Sequence, residues 1–77
     1  MNHVEFKMIM RSKARLAKGL VNLLIDDTNQ INIDVDDFDM FSLEEAIREA
    51  KRTTQNLLDT ITDLERGVCL VKNNHIK

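Results

Sequence analysis

Two interleaved seven-residue series in the second half of the chain constrain its fold more than any other feature. One series repeats from Leu43 with leucine, alanine or valine, and the other repeats from Ile47 with mostly β-branched residues. The offsets of four and three residues are those of the d and a positions of a heptad. The pattern predicts a helix over about 43–66. Its apolar seam is expected to form the core and most of the dimer contact, and comprises Leu43, Ile47, Ala50, Thr54, Leu57, Ile61 and Leu64.

The residues around this seam indicate where the helix begins and what packs beside it. Ser42 with Glu45 three residues later is the spacing of a capping box, which predicts Ser42 as the N-cap. A third series beside the seam contains only small residues, which lets a further helix approach closely and favours a bundle over an isolated two-stranded coil. This small series is Ala46, Thr53, Thr60 and Gly67.

The first part of the chain predicts another amphipathic helix, over about 4–25, because its apolar residues fall on one broad face. Lys13 lies within that face, so its ammonium must reach solvent or pair with a carboxylate, or the residue marks a gap in the packing. The residues at 26–29 are Asp, Asp, Thr and Asn, which bond their own backbone and predict the end of the helix. The opposite, basic face presents Lys7, Arg11, Arg15 and Lys18.

An acidic connector, over about 26–42, joins the two predicted helices. Residues 1–24 carry a net charge of +4, whereas residues 25–46 carry −8. Such segregated blocks either face each other or face partners of opposite charge. In an inhibitor the connector could imitate the phosphates of a nucleic acid. Its candidate binding residues are Asp34, Asp36, Asp37 and Asp39.

Two alternatives for the connector stay open at this point. Ile31, Ile33 and Val35 alternate with polar residues, so residues 31–35 could pair with 68–71 as a small β-ribbon. A partial calcium-loop pattern begins at Asp34 and ends at Glu45, but it lacks the glycine and one oxygen ligand of that motif. A solvated acidic loop is the favoured interpretation.

The remaining composition bounds the class of protein. A chain of 77 residues supplies at most one domain and is marginally stable alone, so association with another chain is expected. The single cysteine, Cys69, excludes an intrachain disulfide, and the isolated His3 and His75 do not suggest a metal site. We expect no cofactor, no metal, no membrane span, no secretory signal and a cytoplasmic location. The tail, 72–77, is expected to be flexible.

The sequence therefore predicts an all-α protein, a hairpin of two amphipathic helices that dimerises into a four-helix, coiled-coil-like assembly. The expected function is that of a small non-enzymatic interaction protein, a regulator, adaptor or inhibitor that binds another protein as well as a second copy of itself. The alternative is a nucleic-acid-binding regulator that uses the basic face of the first helix.

Overall fold

The computed structural model describes residues 2–33 and 39–74, and it consists of two long α-helices packed against each other. Helix α1 spans His3–Asn29 and helix α2 spans Met40–Asn74. Phe6 and Met10, at the start of α1, lie beside Gly67 near the end of α2, whereas Asp27 near the end of α1 contacts Thr53. The helices are therefore antiparallel, and the predicted all-α hairpin is confirmed.

Helix α1 begins where the sequence allows a cap and ends later than the sequence predicts. The Asn2 side chain accepts a hydrogen bond from the Glu5 backbone N–H at 2.8 Å, which makes Asn2 the N-cap. The predicted stop after residue 25 is wrong, because the helix continues to Asn29. The Thr28 hydroxyl donates to the Ile25 carbonyl at 2.9 Å within the helix. Asp27 accepts from α2, so neither polar side chain diverts the backbone.

Helix α2 begins earlier than predicted, and its cap is Asp39. The Asp39 carbonyl accepts the Leu43 backbone N–H at 2.9 Å, and its carboxylate accepts the Phe41 backbone N–H at 3.2 Å. The Ser42 hydroxyl donates to the same carboxylate at 3.1 Å. The predicted capping box of Ser42 and Glu45 is therefore wrong. Asp39, three residues before Ser42, offers two acceptor oxygens and is the N-cap.

The C-terminal end of α2 also lies farther along the chain than predicted. The helix passes through Gly67 and reaches Asn74, so residues 72–74 belong to it and not to a flexible tail. A Cβ added at Gly67 would lie 2.8 Å from Met10 Sδ, so this glycine permits close helix packing. The ribbon alternative is wrong, because residues 68–71 are helical and no strand occurs within 2–33 or 39–74.

The residues that contact the other helix recur every seven positions along both α1 and α2, and the interface they form is narrow. Only Ala17, Ala50, Thr53 and Thr60 are buried among the described residues. Small side chains at these positions let the two backbones approach each other. The Thr60 hydroxyl donates to the Asn56 carbonyl at 2.9 Å, so its burial leaves no unpaired donor. Helix α1 thus packs against the small series predicted beside the seam, while most larger apolar side chains lie at the edges of the interface.

Candidate interaction surfaces

The structure splits the predicted seam of α2 into two halves. Leu43, Ala50, Leu57 and Leu64 are buried or half-buried towards α1, whereas the series that begins at Ile47 is exposed. Because the small series packs against α1, the Ile47 series lies outside the hairpin interface. Its large members are between 42% and 48% exposed. We call this series the α2 strip: Ile47, Thr54, Ile61 and Val68.

An open groove of ≈ 500 Å³ runs between the helices beside the α2 strip. From α1 it is lined by Leu24, Thr28 and Ile31, and from α2 by residues that include Ile47 and Leu58. The walls are mainly apolar, and the groove opens directly to solvent. This side of the hairpin therefore offers a long apolar surface with no covering element among the described residues.

A second apolar series lies on the other side of the hairpin. Ile9, Leu16 and Leu23 recur every seven residues along α1 and are 43–55% exposed. The next position in the series, Gln30, lines a separate groove with Asp27 and Glu49. Because Thr28 lines the groove beside the α2 strip, the two series flank opposite edges of the helix interface. We call the three residues Ile9, Leu16 and Leu23 the α1 strip.

The predicted basic face is exposed along its length. Lys7, Arg11, Arg15 and Lys18 all lie at the surface of α1. Among residues 2–33 and 39–74, no carboxylate forms an ion pair with any of these four side chains. Their charges are therefore not neutralised by a described side chain, and the face keeps a positive potential.

Lys13 behaves differently from the basic face. Its ammonium pairs with the Asp63 carboxylate at 3.3 Å, and both side chains are about two-fifths exposed. Of the alternatives open for Lys13, the structure shows pairing with a carboxylate. Asp63 also faces the Arg66 guanidinium at 3.9 Å. This cluster is a partly solvated element of the hairpin interface.

Residues 34–38 of the acidic connector lie outside the described residues. Asp34, Asp36 and Asp37 fall there, and so do the first five positions of the partial calcium-loop pattern. Asp39 is described, and its carboxylate caps α2. Within 2–33 and 39–74 no three His, Cys, Asp or Glu side chains are grouped to hold a metal ion. Cys69 is exposed. Neither helix of the described chain has the length and apolar character of a membrane span.

Two features of the surface were not among the sequence predictions: the α1 strip as a separate surface, and Leu58 as part of the lining of the groove beside the α2 strip. The apolar pattern of α1 indicates one broad face and does not divide its residues between helix contact and solvent. The signal was present, because Ile9, Leu16 and Leu23 form their own seven-residue series.

Comparison of the chain with protein-family models, curated proteins and solved structures finds no match.

Proposed function

We propose that the chain is a small non-enzymatic interaction protein that forms a homodimer of hairpins, in a four-helix arrangement, and binds another protein. The observation that carries this proposal is the exposure of the large apolar side chains. Among the described residues the buried apolar side chains are both alanines, Ala17 and Ala50. An isolated hairpin therefore fully buries no large apolar side chain, and a second copy would supply the missing core.

The surface area of the chain supports self-association. A compact monomer of 8.9 kDa exposes about 4,800 Å², whereas this chain exposes 6265 Å². The elongated chain therefore exposes more surface than a compact monomer of its mass, as suits a subunit whose exposed apolar area is covered by a second copy. A second hairpin laid along one side of the 59 Å rod is long enough to cover that area.

A protein is the partner class that suits the remaining apolar surface. The two strips lie on opposite edges of the hairpin, so a second copy on one edge leaves the other exposed. Branched aliphatic side chains such as Leu16 and Leu23 gain by contact with apolar protein surface and gain nothing from phosphates. With the second copy on the α2 strip, the dimer would present the α1 strip twice, once on each hairpin.

The experiment has two stages. Sedimentation equilibrium at micromolar concentration should show a dimer, and a folded monomer would contradict the assembly. The immobilised parent should then retain a protein from native lysate that a Leu16→Ser and Leu23→Ser double variant, still dimeric, does not retain. A Lys7→Ser and Lys18→Ser double variant is the matched control and should retain that protein. Equal retention by all three would contradict binding through the α1 strip.

The exposed basic face favours a second candidate, a nucleic-acid-binding regulator. The stripe from Lys7 to Lys18 spans about 16 Å at 1.5 Å per residue, enough to contact several phosphates. Fluorescence anisotropy with a labelled RNA or DNA duplex should then show affinity that falls steeply with salt. Arg11→Glu combined with Arg15→Glu should abolish that binding. An affinity independent of salt, or unaffected by the double reversal, would exclude this candidate.

A further inference from the structure

We propose that the second copy packs antiparallel against the α2 strip, with α2 against α2 and the two-fold axis beside Leu58. This inference rests on the homodimer proposed above and specifies its interface. It depends on a second series of α2 that neither the hairpin interface nor the α2 strip includes. Each member lies four residues after or three residues before a strip residue, one step farther from α1. We call this series the α2 rim: Glu44, Lys51, Leu58, Glu65 and Lys72.

The charges of the α2 rim are antisymmetric about Leu58. Lys51 lies seven residues before Leu58 and Glu65 seven residues after it. Glu44 and Lys72 lie fourteen residues to either side. In an antiparallel pair centred on Leu58, Lys51 of one copy therefore faces Glu65 of the second copy, and Glu44 faces Lys72 of the second copy. In a parallel pair each of these charges would face its own copy, and all four contacts would be repulsive.

The hairpin leaves these charges available for such pairing. All five rim residues are exposed, and Leu58 is 57% exposed. Within the described chain no ion pair involves any of the four rim charges. Lys51 and Glu65 of the same chain are separated by fourteen residues, about 21 Å along the helix, so they do not neutralise each other directly.

The apolar α2 strip has nearly the same centre as the rim. Ile47 lies eleven residues before Leu58 and Val68 ten residues after it, while Thr54 and Ile61 lie four before and three after. An antiparallel pair centred there places Ile47 against Val68 of the second copy, and Ile61 against Thr54 of the second copy. The apolar contact and the charge contact thus specify the same arrangement, which is self-complementary as a two-fold interface requires.

Charge exchange between the rim positions tests this interface. Lys51→Glu alone and Glu65→Lys alone should each weaken the dimer about tenfold, because two attractive pairs become repulsive in each homodimer. An equimolar mixture of the two single variants should recover the affinity of the parent, since every mixed pair is again attractive. Arg15→Glu, on the outer face of α1, is the matched control and should leave the dissociation constant unchanged.

The outcomes separate this inference from the proposed function. Preferential assembly of the Lys51→Glu variant with the parent would indicate a parallel pair and overturn the inference. A dimer that neither rim variant weakens would place the interface elsewhere, and would overturn the inference while the homodimer stands. A parent that stays monomeric at high micromolar concentration would overturn both.

The distance between spin labels on Cys69 is an independent test of this arrangement. Cys69 is exposed and is the single cysteine of the chain, so it can be labelled specifically. It lies eleven residues past Leu58, so spin labels on the two copies should be about 35 Å apart in the antiparallel dimer. A parallel dimer would bring them within about 10–20 Å. A distance distribution centred in the shorter range would overturn the inference without any substitution in the interface.

Discussion

The Thr53 hydroxyl of α2 donates a hydrogen bond of 2.5 Å to the Asp27 carboxylate of α1. Thr53 is 4% exposed and Asp27 is half-buried, so the contact joins the two helices at the edge of their interface. A charge-assisted hydrogen bond of this kind fixes the register of the two helices, because a shift by one residue would leave both groups without this partner.

Removal of this hydrogen bond should destabilise the hairpin. Thr53→Val keeps the side-chain shape but removes the donor, and we expect a loss of about 1–2 kcal/mol in the free energy of unfolding. Thr62→Val is the matched control, because the Thr62 hydroxyl donates only to the Leu58 carbonyl of its own helix. Urea denaturation at one fixed protein concentration measures both. Equal effects of the two substitutions would show that the contact with Asp27 contributes no stability.

The cap of α2 gives a second prediction. Asp39→Ala removes the carboxylate that accepts the Phe41 N–H and the Ser42 hydroxyl, and should cost about 1 kcal/mol. Ser42→Ala removes only a hydroxyl that donates to that carboxylate, and should cost less than about 0.5 kcal/mol. Thermal unfolding of both variants tests the order. A larger loss for Ser42→Ala would restore Ser42 as the principal cap.

The two cap residues illustrate what local sequence signals could determine. The spacing of apolar residues was sufficient to predict two helices and their amphipathic faces, because each extends over many turns. The ends were misplaced because single hydrogen bonds decide them. Asp39 and Ser42 both fit an N-cap signature. Asp27 and Thr28 resemble a helix stop until a tertiary contact engages Asp27.

The choice of contact face could not be predicted from the sequence for a different reason. Helix α2 carries three adjacent seven-residue series, which begin at Leu43, Ala46 and Ile47. Any two neighbouring series make a plausible seam. Two-stranded coiled coils prefer β-branched residues at a positions and leucine at d positions, and this preference favours the Leu43 and Ile47 series. The structure uses the Leu43 and Ala46 series, because Ala46, Thr53 and Thr60 let the backbones approach more closely than isoleucine would.

The two glycines should respond differently to alanine. Gly19 has no atom within 4 Å of an added Cβ, so Gly19→Ala should stabilise the helix by about 0.5–1 kcal/mol. At Gly67 the added Cβ would lie 2.8 Å from Met10 Sδ and 3.1 Å from Met10 Cε, so the methionine must move and the gain is offset. Gly67→Ala should therefore stabilise less than Gly19→Ala in the same urea titration. Equal gains would mean that Met10 moves without cost.

Leu57 tests the half of the predicted seam that faces α1. Its side chain is half-buried in the hairpin, and Leu57→Ala should destabilise by about 2 kcal/mol, the lower end of the range for buried leucine. Leu70→Ala is the control, because Leu70 is 57% exposed on the same helix. We expect a change below about 0.5 kcal/mol there. A loss below about 0.5 kcal/mol for Leu57→Ala would remove Leu57 from the interface between the helices.

The basic face gives the last prediction, which distinguishes a binding surface from a structural one. Arg11 and Arg15 lie four residues apart on α1 and form no ion pair with a described carboxylate, so they repel each other on the uncomplexed helix. Added salt should then raise the melting temperature of the parent relative to that of the Arg11→Glu and Arg15→Glu double variant, because the ion pairs that salt weakens elsewhere are common to both. Arg11→Glu combined with Arg15→Glu should leave the melting temperature within about 2 °C of the parent or raise it. A melting temperature well below the parent, rescued by Asp36→Lys with Asp37→Lys, would instead show that the acidic connector neutralises this face. Arg11 and Arg15 would then stabilise the hairpin and would not be available to a partner.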